Sequence, residues 1–455
     1  MSTYMDEYKK KLITPDQAAN LVKTNDIIEY GMFATKPVDF DAALGRRVGQ
    51  VQNVAIRGTG GVPPFPAVVQ QDLEQKSFQY FSWYFTMLDR IQSDQGRTCH
   101  LPFNYHEATI LAYNQELKHI KPKVWCAQVT PMDKHGCFNF GIGNSHNRAM
   151  ALWADITIVE VNEAFPKCYG GNDEYVHISE IDYIIEGTNT PAYATPKMAA
   201  PTPEEKKIAE LIVSQIESGS CLQLGIGSMP NLIGEMIAES DVKNLGIQSE
   251  MFCDAMVTLY NAGKVTNANK RMDINKSTFS FCLGTPETYE FINENPRLAS
   301  CKVHHTNAPE NIAMHDKFIS INNIVEIDLL SQVCSETSGI RQISGTGGQL
   351  DFVIGAFHSV GGKSFLAFSS TYKDKKTGEV KSRISPMLTP YSVVTVPRSM
   401  VQYVVTEYGM ANLKAMSIWG RAEALINIAH PNFRDGLIKS AKELGIWSRT
   451  NRIPF

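Results

Sequence analysis

The carboxylate with the most informative position in this 455-residue chain is that of Glu250. It follows the run LGIQS, which is typical of a buried strand, and it precedes the run MFCD, which opens a helical pattern. We therefore expect its side chain to project from the carboxyl end of a strand, where open α/β sheets place their ligand crevices. Such a position suits catalysis. The alternative is a glutamate in the first turn of the following helix, where a negative charge stabilises the helix N-terminus.

Three glycine-rich turns could bring backbone amides to a ligand: 58–61 (GTGG), 225–230 (GIGSMP) and 345–348 (GTGG). Glycine permits a close approach of the backbone, and a turn that leads into a helix offers amides to an anion or a developing oxyanion. The second turn resembles a dinucleotide-binding fingerprint, but Pro230 and Asn231 stand where its third glycine would be. A nicotinamide site and a purely structural turn therefore stay open as alternatives.

The elements that must position these residues alternate between strand-like and helix-like runs, a pattern typical of parallel sheets flanked by helices. Strands are predicted over 26–30, 53–57, 124–129, 137–140, 156–161, 221–224, 245–248 and 278–282. Helices are predicted over 16–23, 39–51, 204–218, 231–239 and 252–262. The sequence therefore predicts the α/β class.

The alternation stops between Gly187 and Glu204, where four prolines fall within a stretch rich in Thr and Ala. Proline lacks an amide donor and restrains the residue before it, so this stretch is typical of an extended linker. We predict two open α/β domains, residues 1–186 and 204–455, joined by a Pro-rich linker over 187–203.

The composition excludes several classes of protein. Lys and Arg number 43 against 47 Asp and Glu, for a net charge of -4, which gives no basic footprint for nucleic acid. The N-terminus lacks the apolar core of a signal peptide, and no run is long enough to cross a membrane, so we expect a cytoplasmic protein. The nine cysteines show no CxxC or Cys/His cluster, so we expect free thiols and no metal site.

Five separated segments resemble one known family in both content and order. They are CLQLGIGSMPN (221–231), LGIQSEMFCD (245–254), SGTGGQLDF (344–352), YVVTEYG (403–409) and RAEALINIAHPNF (421–433). Together they resemble the acetyl-CoA hydrolase/transferase group, the family I coenzyme A-transferases, and most of all the 4-hydroxybutyrate and butyryl-CoA:acetate branch. The segment 78–105, with its aromatic cluster Trp83-Tyr84-Phe85, has no match to this pattern.

The resemblance implies a CoA-transferase fold of two related domains, with the active site in the cleft between them. It implies that Glu250 is the nucleophile and forms a glutamyl-CoA thioester, and an ordinary glutamate, with a pKa near ~4.3, would be ionised at pH 7. It also implies coenzyme A contacts at Gly225, Ile226, Gly227, Ser228, Met229, Val325, Gly347 and Gly348. Coenzyme A would be a substrate with a short-chain carboxylate as its partner, no cofactor would be tightly bound, and the assembly would be a homodimer or homotetramer.

Three other functions stay open on the sequence. An acetyl-CoA hydrolase would use nearly the same residues, with water in place of the acceptor acid. A coenzyme A sensor would bind without a covalent intermediate, and a nicotinamide oxidoreductase would depend on the GIGSMP turn alone. Smaller roles at the site are open for Gln223, Asn231, Glu407 and Lys363.

Overall fold

The computed structural model describes residues 2–196, 199–225, 227–375 and 377–446, on which the following account is based. Its first large sheet has seven strands, all parallel, and uses only residues before 187. In spatial order these are Thr98–His100, Phe78–Ser82, Val54–Gly58, Ile27–Tyr30, Val124–Val129, Ile156–Val161 and Tyr183–Glu186.

The second large sheet has six strands and uses only residues after 203. In spatial order these are Gly246–Ile247, Cys221–Gln223, Phe318–Asn323, Lys363–Ala367, Tyr403–Thr406 and Gly409–Asn412. The final pair is an antiparallel hairpin, and the other neighbours are parallel. Parallel sheets are confirmed in both halves of the chain, and the fold class is α/β as predicted.

The central strands are buried along nearly their whole length, their polar residues Gln128 and Glu160 included, because helices cover both faces of each sheet. All six residues of Val124–Val129 are buried, and five of the six residues of Ile156–Val161 are buried. The sequence predicted the bounds of these two strands without error. Both runs are rich in apolar and β-branched residues, which favours a strand.

Fifteen helices of the described residues flank these sheets. They are Ser2–Lys11, Pro15–Ala19, Asp39–Gly45, Ala67–Gln71, Met87–Asp94, Asn147–Trp153, Pro203–Val213, Ser228–Glu239, Asp254–Asn261, Pro286–Ile292, Val303–Asn307, Pro309–Ala313, Gln349–His358, Ile418–Asn427 and Pro431–Glu443. The longest has 13 residues, and within the described part of the chain every helix is too short or too polar to cross a bilayer.

Short strands complete the fold outside the two large sheets. They pair as Cys137–Asn139 with Tyr175–His177, Met251–Phe252 with Phe281–Cys282, Ser277–Phe279 with Leu298–Ser300, Thr337–Ser338 with Arg341–Gln342, and Thr371–Lys373 with Val380–Ser382. Glu326–Asp328 lies between Val333–Cys334 and Ile384–Ser385. The single strand predicted over 278–282 is thus two strands, which separate at Ser280.

Most of the other predicted boundaries differ from the structure by one to six residues, and two of these differences have a clear local cause. The helix predicted over 39–51 ends at Gly45, because Val48 and Val51 pair with one another through a β-bridge and do not continue the helix. The helix predicted from 204 begins at Pro203, where the Thr202 hydroxyl accepts from the backbone of Glu205 as its N-cap. The nine cysteines form no disulfide, as expected.

Candidate active site

Glu250 lies in the bend between strands Gly246–Ile247 and Met251–Phe252. Its backbone carbonyl accepts from the Ser280 N–H at 2.9 Å, the Ser280 hydroxyl at 2.9 Å and the Phe281 N–H at 3.2 Å. These three bonds fix the backbone, so the side chain projects from a rigid base. The following helix begins only at Asp254, so Glu250 is not in its first turn and the helix-stabilising alternative is wrong.

The Glu250 carboxylate is held by groups distant in the sequence. The Asn307 amide Nδ2 donates to its Oε2 at 2.7 Å, and the backbone N–H of Gly348 provides a second hydrogen bond. Burial raises the pKa of Glu250 to about 7; the Asn307 bond opposes this rise, the charge of Asp351 adds to it, and the Gly348 bond opposes it. The folded environment therefore disfavours the charged form, in contrast to the expectation of an ordinary glutamate that is fully ionised at pH 7.

Gly348 approaches this carboxylate so closely that no side chain fits. A Cβ at position 348 would overlap both Glu250 Oε2 and Asn307 Nδ2. The backbone φ of Gly348 is -94°, an ordinary value, so the requirement for glycine here is one of space. The turn 345–348 leads into helix Gln349–His358, which offers the amides of its first turn to the same region.

Behind Asn307 stands a chain of hydrogen bonds that joins the two halves of the protein. Asn307 is fully buried, and its Oδ1 accepts from the Thr306 hydroxyl at 2.7 Å, which directs the amide NH₂ toward Glu250. The same side chain acts on the buried Asp351 carboxylate. Asp351 in turn accepts from His106 Nδ1 at 2.7 Å and from the His106 backbone N–H at 3.2 Å.

Burial alone would lower the pKa of His106, but the hydrogen bond and charge of Asp351 outweigh it and raise that pKa. Burial has the opposite effect on Asp351 and raises its pKa, while the hydrogen bonds and charge of His106 oppose that rise. The two groups therefore form a coupled pair that reaches the Glu250 carboxylate through Asn307.

Glu250 lines a cavity of about 660 Å³ whose walls come from both halves of the chain. The aromatic side chains of its wall are mainly from the first half: Phe33, Trp83, Tyr84, Phe85, Phe103 and Tyr105. The segment 78–105, which resembled no family pattern, thus supplies five of these six aromatic rings. Tyr105 also ties the wall to the glycine turn, because its backbone N–H donates to the carbonyl of Gly347 at 3.2 Å.

Phe33 is the most constrained member of this wall. Its φ is +41°, in the left-handed region that side chains other than glycine rarely adopt, and its ring stacks on Phe281 with centroids 5.1 Å apart. Gly60, from the first glycine turn, leaves the space that the ring fills, since a Cβ there would overlap the Phe33 ring. An apolar surface therefore faces the nucleophile.

Most of the residues expected to contact coenzyme A reach this cavity. Gly225, Gly227, Val325, Gly347 and Gly348 all line it. The other expected contacts lie elsewhere: the Ser228 hydroxyl donates to Glu205, and Met229 is buried in the core. Ile226 lies outside the described residues.

The smaller candidates divide in the same way. Gln223 and Asn231 line the cavity, and the Gln223 carbonyl accepts from the Ser320 hydroxyl at 3.1 Å. Lys363 is not among the lining residues, and its ammonium donates to the Gln215 backbone carbonyl at 3.0 Å. Glu407 accepts from the Ser370 backbone at 2.8 Å and has a structural contact outside the cavity.

One group in the described part of the chain has the donor atoms of a metal site. Asp273, Cys301 and His305 offer ligand atoms within 4.8 Å of one another. Asp273 already accepts from His305 Nε2 at 2.8 Å and from the Thr278 hydroxyl at 2.8 Å, and the Lys270 ammonium donates to that same hydroxyl at 2.6 Å. The neighbouring ammonium supplies the positive charge that a metal would bring, so the arrangement is complete as a hydrogen-bonded cluster.

Sequence reasoning missed the partners of Glu250. Asn307 lies outside every motif, and nothing in its neighbourhood signals a role. Asp351 belongs to the SGTGGQLDF segment, where its place could have marked it, but its partner His106 lies 245 residues earlier in the sequence. Arg90, in the segment without a family match, also lines the cavity.

Comparison with known proteins gives the same picture over nearly the whole chain. The acetyl-CoA hydrolase/transferase N-terminal domain matches residues 1–194, and the corresponding C-terminal domain matches residues 284–441. Butyryl-CoA:acetate CoA-transferase of Anaerostipes caccae is 47% identical over 99% of this chain and 100% of its own length. 4-Hydroxybutyrate coenzyme A transferase of Clostridium kluyveri is 35% identical over 96% of this chain and 98% of its own.

A solved structure extends the likeness to three dimensions. RipA from Yersinia pestis superposes with a TM-score of 0.87 at 33% identity, over 98% of this chain and 100% of that one. Domain matches at both ends, relatives aligned along their full length and a shared fold all agree. The chain belongs to the acetyl-CoA hydrolase/transferase family.

Proposed function

We propose that this member of the family is an acyl-CoA:carboxylate CoA-transferase of the butyryl-CoA:acetate or 4-hydroxybutyrate type, which moves coenzyme A between short-chain carboxylic acids. The observation that carries the proposal is a glutamate carboxylate at the wall of a large cavity, held by one backbone amide and one side-chain amide. The full-length relatives at 47% and 35% identity, both named as transferases, favour transfer over hydrolysis.

In the proposed reaction, an oxygen of Glu250 attacks the carbonyl carbon of the acyl-CoA thioester, and the C–S bond breaks to release the CoA thiolate. The product is a mixed anhydride of Glu250 and the acyl group. The thiolate then attacks the glutamyl carbonyl, the donor carboxylate leaves, and a glutamyl-CoA thioester remains. The acceptor carboxylate runs these two steps in reverse, so the kinetics are ping-pong.

The two hydrogen-bond donors on Glu250 suit the second attack. When the thiolate adds to the glutamyl carbonyl, its oxygen becomes an oxyanion, and the Gly348 N–H and the Asn307 amide already face that carboxyl group. A fixed donor of this kind is worth about 10²–10³ in rate. The Asp351–His106 pair holds the Asn307 amide in the orientation that this role needs.

Substrate binding follows from the wall of the cavity. Coenzyme A is proposed as a substrate held by the glycine turns 225–227 and 347–348 and by Val325, while the aromatic wall with Phe33 receives a short apolar acyl chain. We further propose that residues 1–186 and 204–455 act as two domains of a cytoplasmic homodimer or homotetramer, with no tightly bound cofactor.

The proposal is tested by intact mass after the protein is mixed with butyryl-CoA and no acceptor acid. We expect an adduct of CoA less water, which peptide mapping locates at Glu250 and which added acetate discharges as acetyl-CoA. A protein that releases CoA at the same rate with and without acetate would instead be a hydrolase. An unmodified protein after complete mixing would contradict the mechanism.

The raised pKa of Glu250 predicts a pH dependence of the first half-reaction. Only the ionised carboxylate attacks, so the rate of adduct formation should rise about tenfold per pH unit below about 7 and level off above it. Because the charge of Asp351 contributes to the raised pKa, Asp351→Asn should move the midpoint to lower pH. Single-turnover rates between pH 5 and pH 9 measure both, and a midpoint that stays fixed or rises in the variant would contradict the assignment.

A further inference from the structure

Among the described residues that line the cavity, one carries a positive charge: Arg90. The other charged members are Glu250 and Asp254. Asp254 is satisfied internally, since its Oδ1 accepts from the Thr285 N–H at 2.9 Å and from the Thr288 hydroxyl at 2.5 Å. Arg90 is therefore the one cation that the described wall of this cavity offers to a ligand.

The guanidinium of Arg90 has no hydrogen-bond or ion-pair partner within the described structure, although its Nε is buried. The nearby Arg341, by contrast, has its guanidinium paired: its Nε and Nη2 donate to the two carboxylate oxygens of Asp94 at 2.7 and 2.6 Å. A partly buried cation without a partner costs free energy, and that cost is recovered when a ligand supplies anionic oxygens.

Arg90 belongs to the outer part of the cavity. It lies on helix Met87–Asp94, and Met87 at the start of that helix lines the cavity while 66% of its surface is exposed. Both charges act on Tyr84, which also lines the cavity: burial raises its pKa, Glu250 adds to that rise, and Arg90 opposes it. The Glu250 carboxylate is held by Asn307 and Gly348, so Arg90 stays available for a different part of the ligand.

We propose that Arg90 binds an anionic group carried by the outer part of the substrate, and the phosphates of coenzyme A supply that group. The proposal rests on the proposed function. A thioester seated at Glu250 places its phosphates at the far end of the pantetheine arm, toward the rim. A chain with a net charge of -4 has no general basic field to hold them, so a local cation is needed. A second carboxylate on a dicarboxylic acyl group is the other source of the same chemistry.

Equilibrium binding of free CoA and of pantetheine, which lacks the phosphates, tests the proposal on the wild-type protein and three variants. Arg90→Gln should weaken CoA binding about 10- to 100-fold, the worth of one or two charge-assisted hydrogen bonds, and leave pantetheine binding unchanged. Arg90→Lys should recover part of the loss, and the salt dependence of CoA binding should flatten in Arg90→Gln. Arg341→Gln, which removes an arginine bound to Asp94 at the end of the same helix, is the matched control and should bind CoA as the wild type does.

The second source is tested by adduct formation from succinyl-CoA and from butyryl-CoA. If Arg90→Gln slows the first selectively while CoA binding is unchanged, the anion is the distal carboxylate and the phosphate assignment is overturned. If neither ligand responds, Arg90 has no role in binding. If the wild-type protein binds CoA through Arg90 but forms no adduct, the proposed function is refuted and the role of Arg90 in CoA binding stands.

Discussion

Replacing Glu250 with glutamine is expected to lower the rate of CoA transfer by roughly 10,000-fold or more, as the loss of a covalent nucleophile does in other enzymes. The amide has the same shape, and its carbonyl oxygen can still accept from Asn307, but its nitrogen and oxygen are too weakly nucleophilic to open a thioester. The variant should therefore bind CoA with nearly wild-type affinity and form no adduct. Single-turnover kinetics, intact mass and calorimetric CoA binding measure these three properties.

The matched control for this change is Glu239→Gln, at an exposed position at the end of helix Ser228–Glu239. It removes the same charge outside the cavity, and it should transfer CoA as the wild type does. Transfer by Glu250→Gln at a rate within tenfold of the wild type would mean that another group is the nucleophile.

Gly348→Ala is expected to reduce kcat by about 100-fold or more, with a smaller change in the KM for acyl-CoA. The added methyl group would occupy the space of Glu250 Oε2 and Asn307 Nδ2, so both side chains must move from the positions that the reaction needs. Since the φ of -94° suits alanine, the backbone itself should tolerate the change. Steady-state kinetics and the rate of adduct formation provide the measurement.

Gly436→Ala is the control for the extra methyl group. Position 436 lies in helix Pro431–Glu443 with nothing within 4 Å of the new Cβ, and alanine favours a helix more than glycine does. We expect full activity and equal or greater thermal stability. Wild-type kcat in Gly348→Ala would show that the carboxylate does not depend on its close contact with this turn.

The elements near the sheets could be predicted from the sequence because local pattern alone determines them. Val124–Val129 and Ile156–Val161 are predominantly apolar and β-branched, and the Pro-rich stretch after Gly187 favours neither helix nor strand. The ends of helices were less certain. Val48 and Val51 continue a helical spacing, and only the three-dimensional structure shows that they pair with each other as a bridge.

The site was predictable only as far as one segment of chain determines it. Glu250 was singled out because the residues beside it are typical of a strand end, and its role as nucleophile came from the family resemblance. Its partner Asn307 is 57 residues away, and the His106–Asp351 contact spans 245 residues, so both depend on how the two halves meet. The pKa of about 7 follows from the same packing, because burial is a property of the folded chain and not of the residue.

Phe33 and Gly60 are sterically coupled, because the ring of one fills the space that the other leaves. A larger residue at position 60 cannot coexist with the Phe33 ring, and a smaller residue at position 33 leaves a void beside Phe281. Homologous chains should therefore change the two positions together or keep both, and one-at-a-time mutagenesis should meet inactive intermediates. An engineered variant whose apolar wall accepts bulkier acids will therefore need substitutions at positions 33 and 60 made together.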